Sequence, residues 1–519
     1  MKPLSICVHS RIPRAVPATI GFLAILALSG CGGGSSTSSS SSAPAPATAT
    51  VAWAAPIDGL DPDNGFANQA LAAFHLFGGN LYDITSAGKT VPGLAASSTT
   101  STDGLTWTFK LRPGLKFSDG SPLTSSDVKA TIDRAKADKA NGYAGLFAPI
   151  TSVDAPDPQT VVFNLASKYP SLPTVLGEPE FLIMPATGLA QGKSFFKKPI
   201  SAGPYTLQSW GGGGDSTFVV NPNYWGPKPL IKTLKFTTIT DFNSRLAQLQ
   251  SGQIQSVVDL PPSVLSQLQG NGTITAKVVQ IYGFGVLNMF ITKPPLDNLN
   301  LRKAISLAID RNKIAKDVWL GQNTAYAGFW PPTMDGYDSS ISTAQDITKA
   351  KQLVANSPCA GGCTLKMQYT DSYPSSEQTA LIIQSNLNQI GIKTQLVKLE
   401  NAIWFNNMYN GTYQLSVSNL YDYANVPDGM VAYAIDPKGG LNANYSGWDS
   451  KAAIGDGNRA IVSSGSERDA ALAAVNQEFL KDQPYATINT YAVVFATNLP
   501  KDLITLSASE FIDVKSAAG

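Results

Sequence analysis

Cysteine is the residue type with the clearest chemical possibilities in this chain, which contains four. Cys359 and Cys363 are separated by Ala-Gly-Gly, a spacing that allows a tight disulfide loop in an oxidising compartment. A metal site would need two more ligands, and the whole chain contains only two histidines. We therefore predict a structural disulfide between Cys359 and Cys363, and neither a resident metal nor a cofactor.

Cys31 stands at the end of a different pattern, one typical of export. Three cations by residue 14 precede a short apolar stretch that ends at Leu28. This stretch is too short to cross a bilayer comfortably, which takes about 20 residues, and is typical of a signal peptide. The small residues before Cys31 resemble the lipobox of bacterial lipoproteins, in which the cysteine carries a lipid and becomes the mature N-terminus. An ordinary secretory signal or an uncleaved anchor is the alternative.

The residues after Cys31 are those of a tether. They are rich in Gly, Ser, Ala and Pro and offer little apolar surface to bury, so they favour a flexible linker. We predict a lipoprotein signal peptide over residues 1–30 and a lipidated Cys31 with its linker over residues 31–50. The protein is expected to be exported and lipid-anchored, at the outer face of the cell membrane or in the periplasm.

Composition predicts a globular body of roughly 470 residues, enough for two or three domains. The formal net charge is +1, and the signal peptide removes three positive charges, which leaves about −2. So balanced a charge does not favour nucleic acid as a partner.

Catalytic motifs are sparse. The sequence contains no Gly-x-Ser-x-Gly, His-Glu-x-x-His or Gly-x-Gly-x-x-Gly pattern. After maturation only His75 remains, so general-base chemistry would depend on carboxylates. We predict that the protein is not an enzyme, and an exported carboxylate-based hydrolase is the distant alternative.

Hydrophobic periodicity indicates an α/β fold. Alternating apolar residues predict strands around Leu365 and around Ile392, and the residues between them have helical spacing that ends at Gly391. Ser375 and Gln378 fit a capping box at the start of this helix. The resulting strand–helix–strand unit should pair its strands in parallel.

Residues 105–124 (Leu-Thr-Trp-Thr-Phe-Lys-Leu-Arg-Pro-Gly-Leu-Lys-Phe-Ser-Asp-Gly-Ser-Pro-Leu-Thr) resemble the signature of the extracellular solute-binding proteins, family 5. These are the peptide- and nickel-binding receptors of ABC importers. Further matches follow in the family's order along the chain, at residues 60–62, 91–95, 202–205, 220–226, 302–311 and 482–484. Together they cover nearly the whole mature chain.

The resemblance implies an α/β, two-lobed, periplasmic-binding-protein-like clamp of type II (cluster C), with an extra domain inserted in the first lobe. Lobe I is expected to be discontinuous, the inserted domain to interrupt it and lobe II to follow. The predicted ranges are 51–66, 198–283 and 490–519 for lobe I, 67–197 for the inserted domain and 284–489 for lobe II.

Asp422 is the strongest candidate for a ligand contact. It follows a predicted strand, and α/β folds commonly place ligands at the carboxyl ends of strands. In peptide-binding relatives the matching Asp receives the ligand's α-ammonium, a charge-assisted contact. We add Tyr423, Asn419 and Trp404 as candidate contacts in the same region. A solvated aspartate that caps a turn is the alternative for Asp422, and core packing is the alternative for the aromatic residues.

The predicted function is that of an extracytoplasmic solute receptor of an ABC importer. It would bind an oligopeptide or dipeptide-like ligand between two lobes and deliver it to the membrane permease. An oligosaccharide or another polar solute on the same fold is the alternative. Nickel is disfavoured because imidazole is a preferred ligand of that metal. We expect a monomer whose partners are a small solute, the permease subunits and, through its lipid, the membrane.

Overall fold

The computed structural model describes residues 45–64, 68–86, 88–138, 141, 143–268, 270–370, 373, 375–421, 426–435 and 445–517. In these parts of the chain the strands are β1 (Thr48–Trp53), β2 (Tyr82–Ile84), β3 (Thr90–Pro92), β4 (Ala95–Thr100), β5 (Thr106–Leu111), β6 (Ile150–Asp157), β7 (Thr160–Leu165), β8 (Tyr205–Trp210), β9 (Ser216–Val220), β10 (Thr233–Thr238), β11 (Ser256–Leu260), β12 (Thr275–Met289), β13 (Cys363–Thr370), β14 (Ile392–Leu399), β15 (Leu415–Tyr421), β16 (Tyr485–Thr497), β17 (Ile504–Leu506) and β18 (Ile512–Val514).

The α-helices of the same parts are α1 (Asn68–Phe77), α2 (Ser125–Ala137), α3 (Ala144–Phe147), α4 (Leu172–Val175), α5 (Ala186–Leu189), α6 (Phe242–Gln250), α7 (Leu265–Leu268), α8 (Leu299–Ala308), α9 (Arg311–Asp317), α10 (Ile347–Ala355), α11 (Ser376–Gln389), α12 (Asn401–Tyr409), α13 (Pro427–Ala434), α14 (Lys451–Val462) and α15 (Gly465–Asp482). Short 3-10 helices cover Pro179–Phe181, Gly192–Lys197 and Pro262–Val264. None of the helices in the described part is both long enough and apolar enough to cross a membrane.

A ten-stranded mixed sheet forms the centre of the molecule, in the order β14-β13-β15-β12-β16-β11-β1-β10-β9-β8. β1 pairs in parallel with β10 and β11, and β13 pairs in parallel with β14 and β15. The middle of the sheet is antiparallel, because β16 runs between β12 and β11. The sheet therefore has two halves, and β16 joins them.

The strands β12 and β16 are the longest of the described part, with 15 and 13 residues. Their pairing is regular from Thr275 to Ile281 and shifts register twice, between Ile281 and Phe284 and between Gly285 and Val286. Such irregularities bend a strand and strengthen its twist. The bend lies where the sheet passes from one half to the other.

A second, four-stranded antiparallel sheet has the order β4-β5-β7-β6 and packs against α2. Phe109 and Phe163 from this sheet and Val128 and Ile132 from α2 are fully buried in its core. This sheet lies within residues 67–197, the range predicted for an inserted domain. The lobe and domain boundaries themselves stay predictions.

The predicted strand–helix–strand unit is confirmed. β13 and β14 are parallel, with Cys363 opposite Ile392, and α11 connects them. The predicted capping box is wrong, since Ser375 occupies the N-cap but its side chain accepts no capping hydrogen bond. Ser375 has helical dihedral angles, φ −85° and ψ −10°, whereas capping usually requires an extended N-cap. Cys359 and Cys363 are joined by a disulfide at the start of β13.

Candidate functional site

Tyr421 ends β15 in the middle of the large sheet, and its position depends on a glycine in the next strand. It pairs with Gly283 of β12. A Cβ at Gly283 would lie 3.2 Å from Cδ1 of Tyr421 and 2.8 Å from the carbonyl oxygen of Leu420. The ring of Tyr421 packs edge-on against that of Tyr491 of β16, with centroids 5.5 Å apart. The glycine therefore gives the tyrosine room to reach across β12.

Two predicted contacts, Asp422 and Tyr423, follow Tyr421 directly and lie outside the described residues. The structure describes the strand that leads to them. Their contact with a solute stays a prediction.

Two carboxyl groups meet beside Tyr491. Asp259 lies near the end of β11, and Glu510 lies in the turn between β17 and β18. They are only 8% and 1% exposed, and their side chains are hydrogen-bonded to each other. Asn68 also donates a hydrogen bond from Nδ2 to Oε2 of Glu510. Both acids have a positive φ, 60° and 62°, a conformation uncommon outside glycine that costs conformational energy.

The electrostatics of this pair follow from its burial. Burial and the nearby charge of Asp259 hold the pKa of Glu510 well above its usual range. Burial likewise raises the pKa of Asp259, and the charge of Arg245 partly opposes the rise. Two buried carboxyls in contact cannot both ionise readily, so Glu510 retains its proton and donates a hydrogen bond to Asp259. The pair then carries one negative charge.

That charge has no matching ion pair within the part of the chain that the structure describes. The charge of Arg245 acts on Asp259, but its Nη2 donates to the backbone oxygen of Asp259, at 2.9 Å. Its Nη1 donates to the carbonyl oxygens of Ile239 and Thr240. Arg245 therefore organises the backbone around Asp259.

Tyrosines surround the two acids. Burial and the charges of Asp259 and Glu510 raise the pKa values of Tyr373 and Tyr491 well above the usual range, and a side-chain interaction with Tyr421 partly opposes the rise. Both hydroxyls therefore stay protonated and can donate hydrogen bonds. We call Asp259, Glu510, Tyr373, Tyr421 and Tyr491 the acid–tyrosine cluster.

A narrow crevice of about 10 Å³, with room for about one water molecule, opens beside this cluster. Asp259 and Tyr491 form one part of its wall, and Trp319 and Ser375 form another. Trp319 packs edge-on against Tyr491, with ring centroids 5.7 Å apart. Because Asp259 belongs to predicted lobe I and Trp319 and Ser375 to predicted lobe II, the crevice has the location expected of an interlobe cleft.

The other two predicted contacts, Asn419 and Trp404, are both described. Asn419 is half-buried on β15 opposite Gly285, and the same glycine faces Oδ1 of Asn489 from β16. Trp404 is 2% exposed on α12, and its Nε1 donates to Oγ of Ser416 at 3.0 Å. Asn419 thus lies two residues from Tyr421 near the cluster. Trp404 occupies a core position, and its direct contact with a solute stays a prediction.

Trp404 nevertheless has a route to the cluster, since its ring lies edge-on to Tyr373 at 6.2 Å between centroids. The structure therefore places β15, which carries Asn419 and leads to Asp422, near the cluster. Trp404 contributes to the cluster only by packing against Tyr373. Sequence reasoning missed Asp259, Glu510 and Tyr491. Leu260 separates Asp259 from a Pro-Pro pair, and the only available signal was an acid near the end of an apolar strand.

The cluster combines a buried negative charge with tyrosine hydroxyls and aromatic rings. A protonated amine offers several hydrogen-bond donors and a positive charge, so it matches such a site in both respects. Among the described residues no group of three or more His, Cys, Asp or Glu side chains is placed to hold a metal ion.

Comparison with known proteins places the chain in a family. Residues 89–441 match the family model described as bacterial extracellular solute-binding proteins, family 5 Middle. The probable D,D-dipeptide-binding periplasmic protein DdpA of Escherichia coli strain K12 is 31% identical over 364 residues, which cover 68% of this chain and 70% of that protein. The glutathione-binding protein GsiB of the same strain is 29% identical over 349 residues, or 66% of this chain and 67% of that protein.

A solved structure, the ABC transporter-associated periplasmic binding protein DppA from Helicobacter pylori in complex with the peptide STSA, has the same fold. Its TM-score is 0.82 at 22% identity, and the match covers 91% of this chain and 97% of that one. The predicted α/β clamp of the periplasmic binding proteins is therefore confirmed. The family model matches well over half of the chain, and the protein belongs to the bacterial extracellular solute-binding proteins, family 5.

Proposed function

We propose that this protein captures a short peptide, or another solute that carries a protonated amine, and delivers it to the permease of an ABC importer. The observation that carries the proposal is the acid–tyrosine cluster, whose Tyr421 directly precedes Asp422 in the sequence. Its buried negative charge lies beside a crevice whose walls come from both predicted lobes. A bound ammonium group would supply the missing positive charge.

The relatives support the same class of ligand. DdpA is named for a D,D-dipeptide, GsiB is named for glutathione, and the DppA structure contains a peptide. All three ligands are peptide-like. An extended peptide could also pair its backbone amides with main-chain groups of the cleft, which gives affinity with broad side-chain tolerance.

Two other functions fit less well. An oligosaccharide or another neutral polar solute would leave the charge of the acid pair without a counterion. A glycoside hydrolase needs two carboxyl groups about 5 to 10 Å apart. Asp259 and Glu510 are instead in hydrogen-bond contact.

The position of the protein in the cell envelope belongs to the same proposal. Cys31 would carry a lipid that holds a monomeric receptor at the membrane. The linker after Cys31 would set its reach, and it is shorter than the predicted range 31–50 because β1 already begins at Thr48. A flexible tether raises the local concentration of the receptor near its permease. Modest affinity between the two would then be sufficient for delivery.

Isothermal titration calorimetry of the mature chain with Ala-Ala, N-acetyl-Ala-Ala and maltotriose tests the ligand class. We expect binding of Ala-Ala and a large loss of affinity when the amine is acetylated. Binding of maltotriose in the absence of peptide binding would overturn the proposal in favour of a sugar receptor.

The variant Asp422→Asn tests the predicted contact. A hydrogen bond to a charged group contributes about 1.5–3 kcal/mol, so the affinity for Ala-Ala should fall by about 10- to 100-fold. Asp335→Asn is the matched control, because Asp335 is an exposed aspartate of predicted lobe II. Equal affinity of the two variants would remove Asp422 from the site.

A further inference from the structure

A polar cavity of about 290 Å³ lies away from the interlobe crevice. α1, β2 and β18 contribute to its walls, together with the loop that contains Tyr224 and Trp225. No residue of predicted lobe II lines it. Its volume is close to the lower end of the range of about 300–1,000 Å³ that is usual for ligand pockets. We call it the His75–Asp83 cavity.

Asp83, in the middle of β2, supplies the first acceptor. No described residue donates a hydrogen bond to its carboxylate or forms an ion pair with it. Burial raises its pKa to about 6, although the charges of His75 and Arg112 oppose the rise. Asp83 is half-buried and lines the cavity, so a molecule bound there can supply the hydrogen-bond donor that its carboxylate lacks.

Asp513, on β18, supplies the second acceptor on another wall. Its Oδ1 is 3.0 Å from Nε2 of His75, and its Oδ2 is buried without a hydrogen-bond partner in the described structure. Burial alone would lower the pKa of His75, but the hydrogen bond with Asp513 and the charges of Asp513 and Asp83 outweigh it and raise the pKa. His75 also stacks on Phe511 at 5.0 Å between centroids, which fixes its orientation.

Apart from His75, which pairs with Asp513, the nearby cations of the described part are occupied elsewhere. Arg112 stacks on Trp225 with its guanidinium carbon 4.1 Å from the ring centroid, and its Nε donates to the carbonyl oxygen of Gly93 at 2.7 Å. Lys228 donates from Nζ to the carbonyl oxygens of Asn221 and Tyr224. Neither side chain supplies an ion pair to the acids of the cavity.

The remaining walls are aromatic and aliphatic. Tyr224 and Trp225 present rings, and Leu76, Ile84 and Val91 present aliphatic side chains. Aromatic faces attract cations, and aliphatic walls favour a short apolar body. An ammonium group has three donors and no acceptor, so it complements the carboxylate of Asp83 and the unpartnered Oδ2 of Asp513.

We propose that the His75–Asp83 cavity is a second binding site, separate from the interlobe cleft, for a small protonated amine with a short apolar body. Asp83 and Asp513 would accept its hydrogen bonds, and Tyr224 and Trp225 would cover its apolar part. Because this site needs no residue of the cleft, its occupancy does not depend on the identity of the transported solute.

Calorimetry of the mature chain with n-butylamine, and with 1-butanol as the neutral control, tests this site. We expect n-butylamine to bind and 1-butanol to bind at least tenfold more weakly. Asp83→Asn should reduce n-butylamine affinity at least tenfold. Val91→Phe should also block binding, because Val91 lines the cavity opposite Asp83 in the β2–β3 pair. Circular dichroism and Ala-Ala titration show whether each variant keeps its fold and its cleft.

Asp422→Asn separates the two sites, because n-butylamine binding at the cavity should survive this change in the cleft. Loss of n-butylamine binding in Asp422→Asn would overturn the proposal and assign the amine to the cleft. Equal binding of n-butylamine and 1-butanol, or no binding of either, would also overturn it and indicate a cavity that holds only water. The peptide titration of the unaltered chain reports on the cleft independently.

Discussion

Two pairs of neighbouring acidic side chains in the described part of the chain differ in whether a cation accompanies them. Asp61 and Asp63 both face Arg134 of α2, whose Nη2 and Nη1 lie 2.6 Å from their carboxylate oxygens. Asp259 and Glu510 face each other and three tyrosines, and no described cation forms an ion pair with them. The first pair has a partner within the protein, which is expected of a structural contact. The second pair leaves a charge available to a ligand.

The position of each pair agrees with this difference. Arg134 fixes the segment after β1 to the helix that packs on the small sheet, and it also lies over the ring of Phe196 at 4.5 Å. Asp259 lies on β11 near the centre of the large sheet, beside the crevice, and Glu510 contacts it from the turn between β17 and β18. Comparison of the two pairs suggests that an uncompensated buried acid is the better indicator of a binding site than acidity alone.

The largest expected effect is on the compensated pair. Arg134→Met removes the cation from two poorly exposed carboxylates, and breaking such a buried pair costs about 3 kcal/mol or more. We expect that loss in the free energy of unfolding, measured by urea denaturation. Lys129→Met on the same helix is the matched control. Lys129 pairs with Asp133 at the surface, so this variant should lose much less free energy of unfolding than Arg134→Met. Equal losses would contradict a structural role specific to Arg134.

The second effect is a pH dependence of the uncompensated pair. The folded-state pKa of Glu510 is raised, so the folded protein binds a proton that the unfolded chain releases above about pH 4.3. Stability from this group is therefore lost as the pH rises through the folded pKa. Relative to Glu510→Gln, the wild type should lose up to about 2.7 kcal/mol between pH 5 and pH 7.

Urea denaturation at both pH values measures this difference, and Glu467→Gln at an exposed position is the control. If the wild type and Glu510→Gln have parallel stability curves over this range, the shared proton is absent. The contrast between Asp259 and Glu510, as a pair with a shared proton, and the pair at Arg134 would then fail.

The smallest effect concerns the support of the cluster. Trp404→Phe removes the indole N–H that donates to Ser416 and should lower the free energy of unfolding by about 1 kcal/mol. Affinity for Ala-Ala, measured by calorimetry, should change by less than threefold if Trp404 acts only through packing against Tyr373. A larger loss would place Trp404 among the ligand contacts.

Local patterns in the sequence predicted the strand–helix–strand unit, because such a unit has local causes, whereas the clamp fold was implied by the family resemblance. β13, α11 and β14 were recognisable from apolar spacing and from Gly391, which has a φ of +83° just beyond the helix. The capping box failed because dihedral angles decide whether Ser375 can cap. The acid pair was not predictable in this way, since Asp259 and Glu510 are far apart in the chain and meet only when the sheet forms.

The order of the strands has a consequence for how the chain matures. β16 is the link between β12 and β11, yet it is made after fifteen of the eighteen strands of the described part. Until residues 485–497 emerge, the two halves of the sheet have no hydrogen-bonded connection, and long-range strand pairing is slow. The large sheet of a nascent chain thus stays incomplete until β16 has been made. Such a delay suits a polypeptide that crosses a membrane before it folds, because its last long strand completes the centre of the structure.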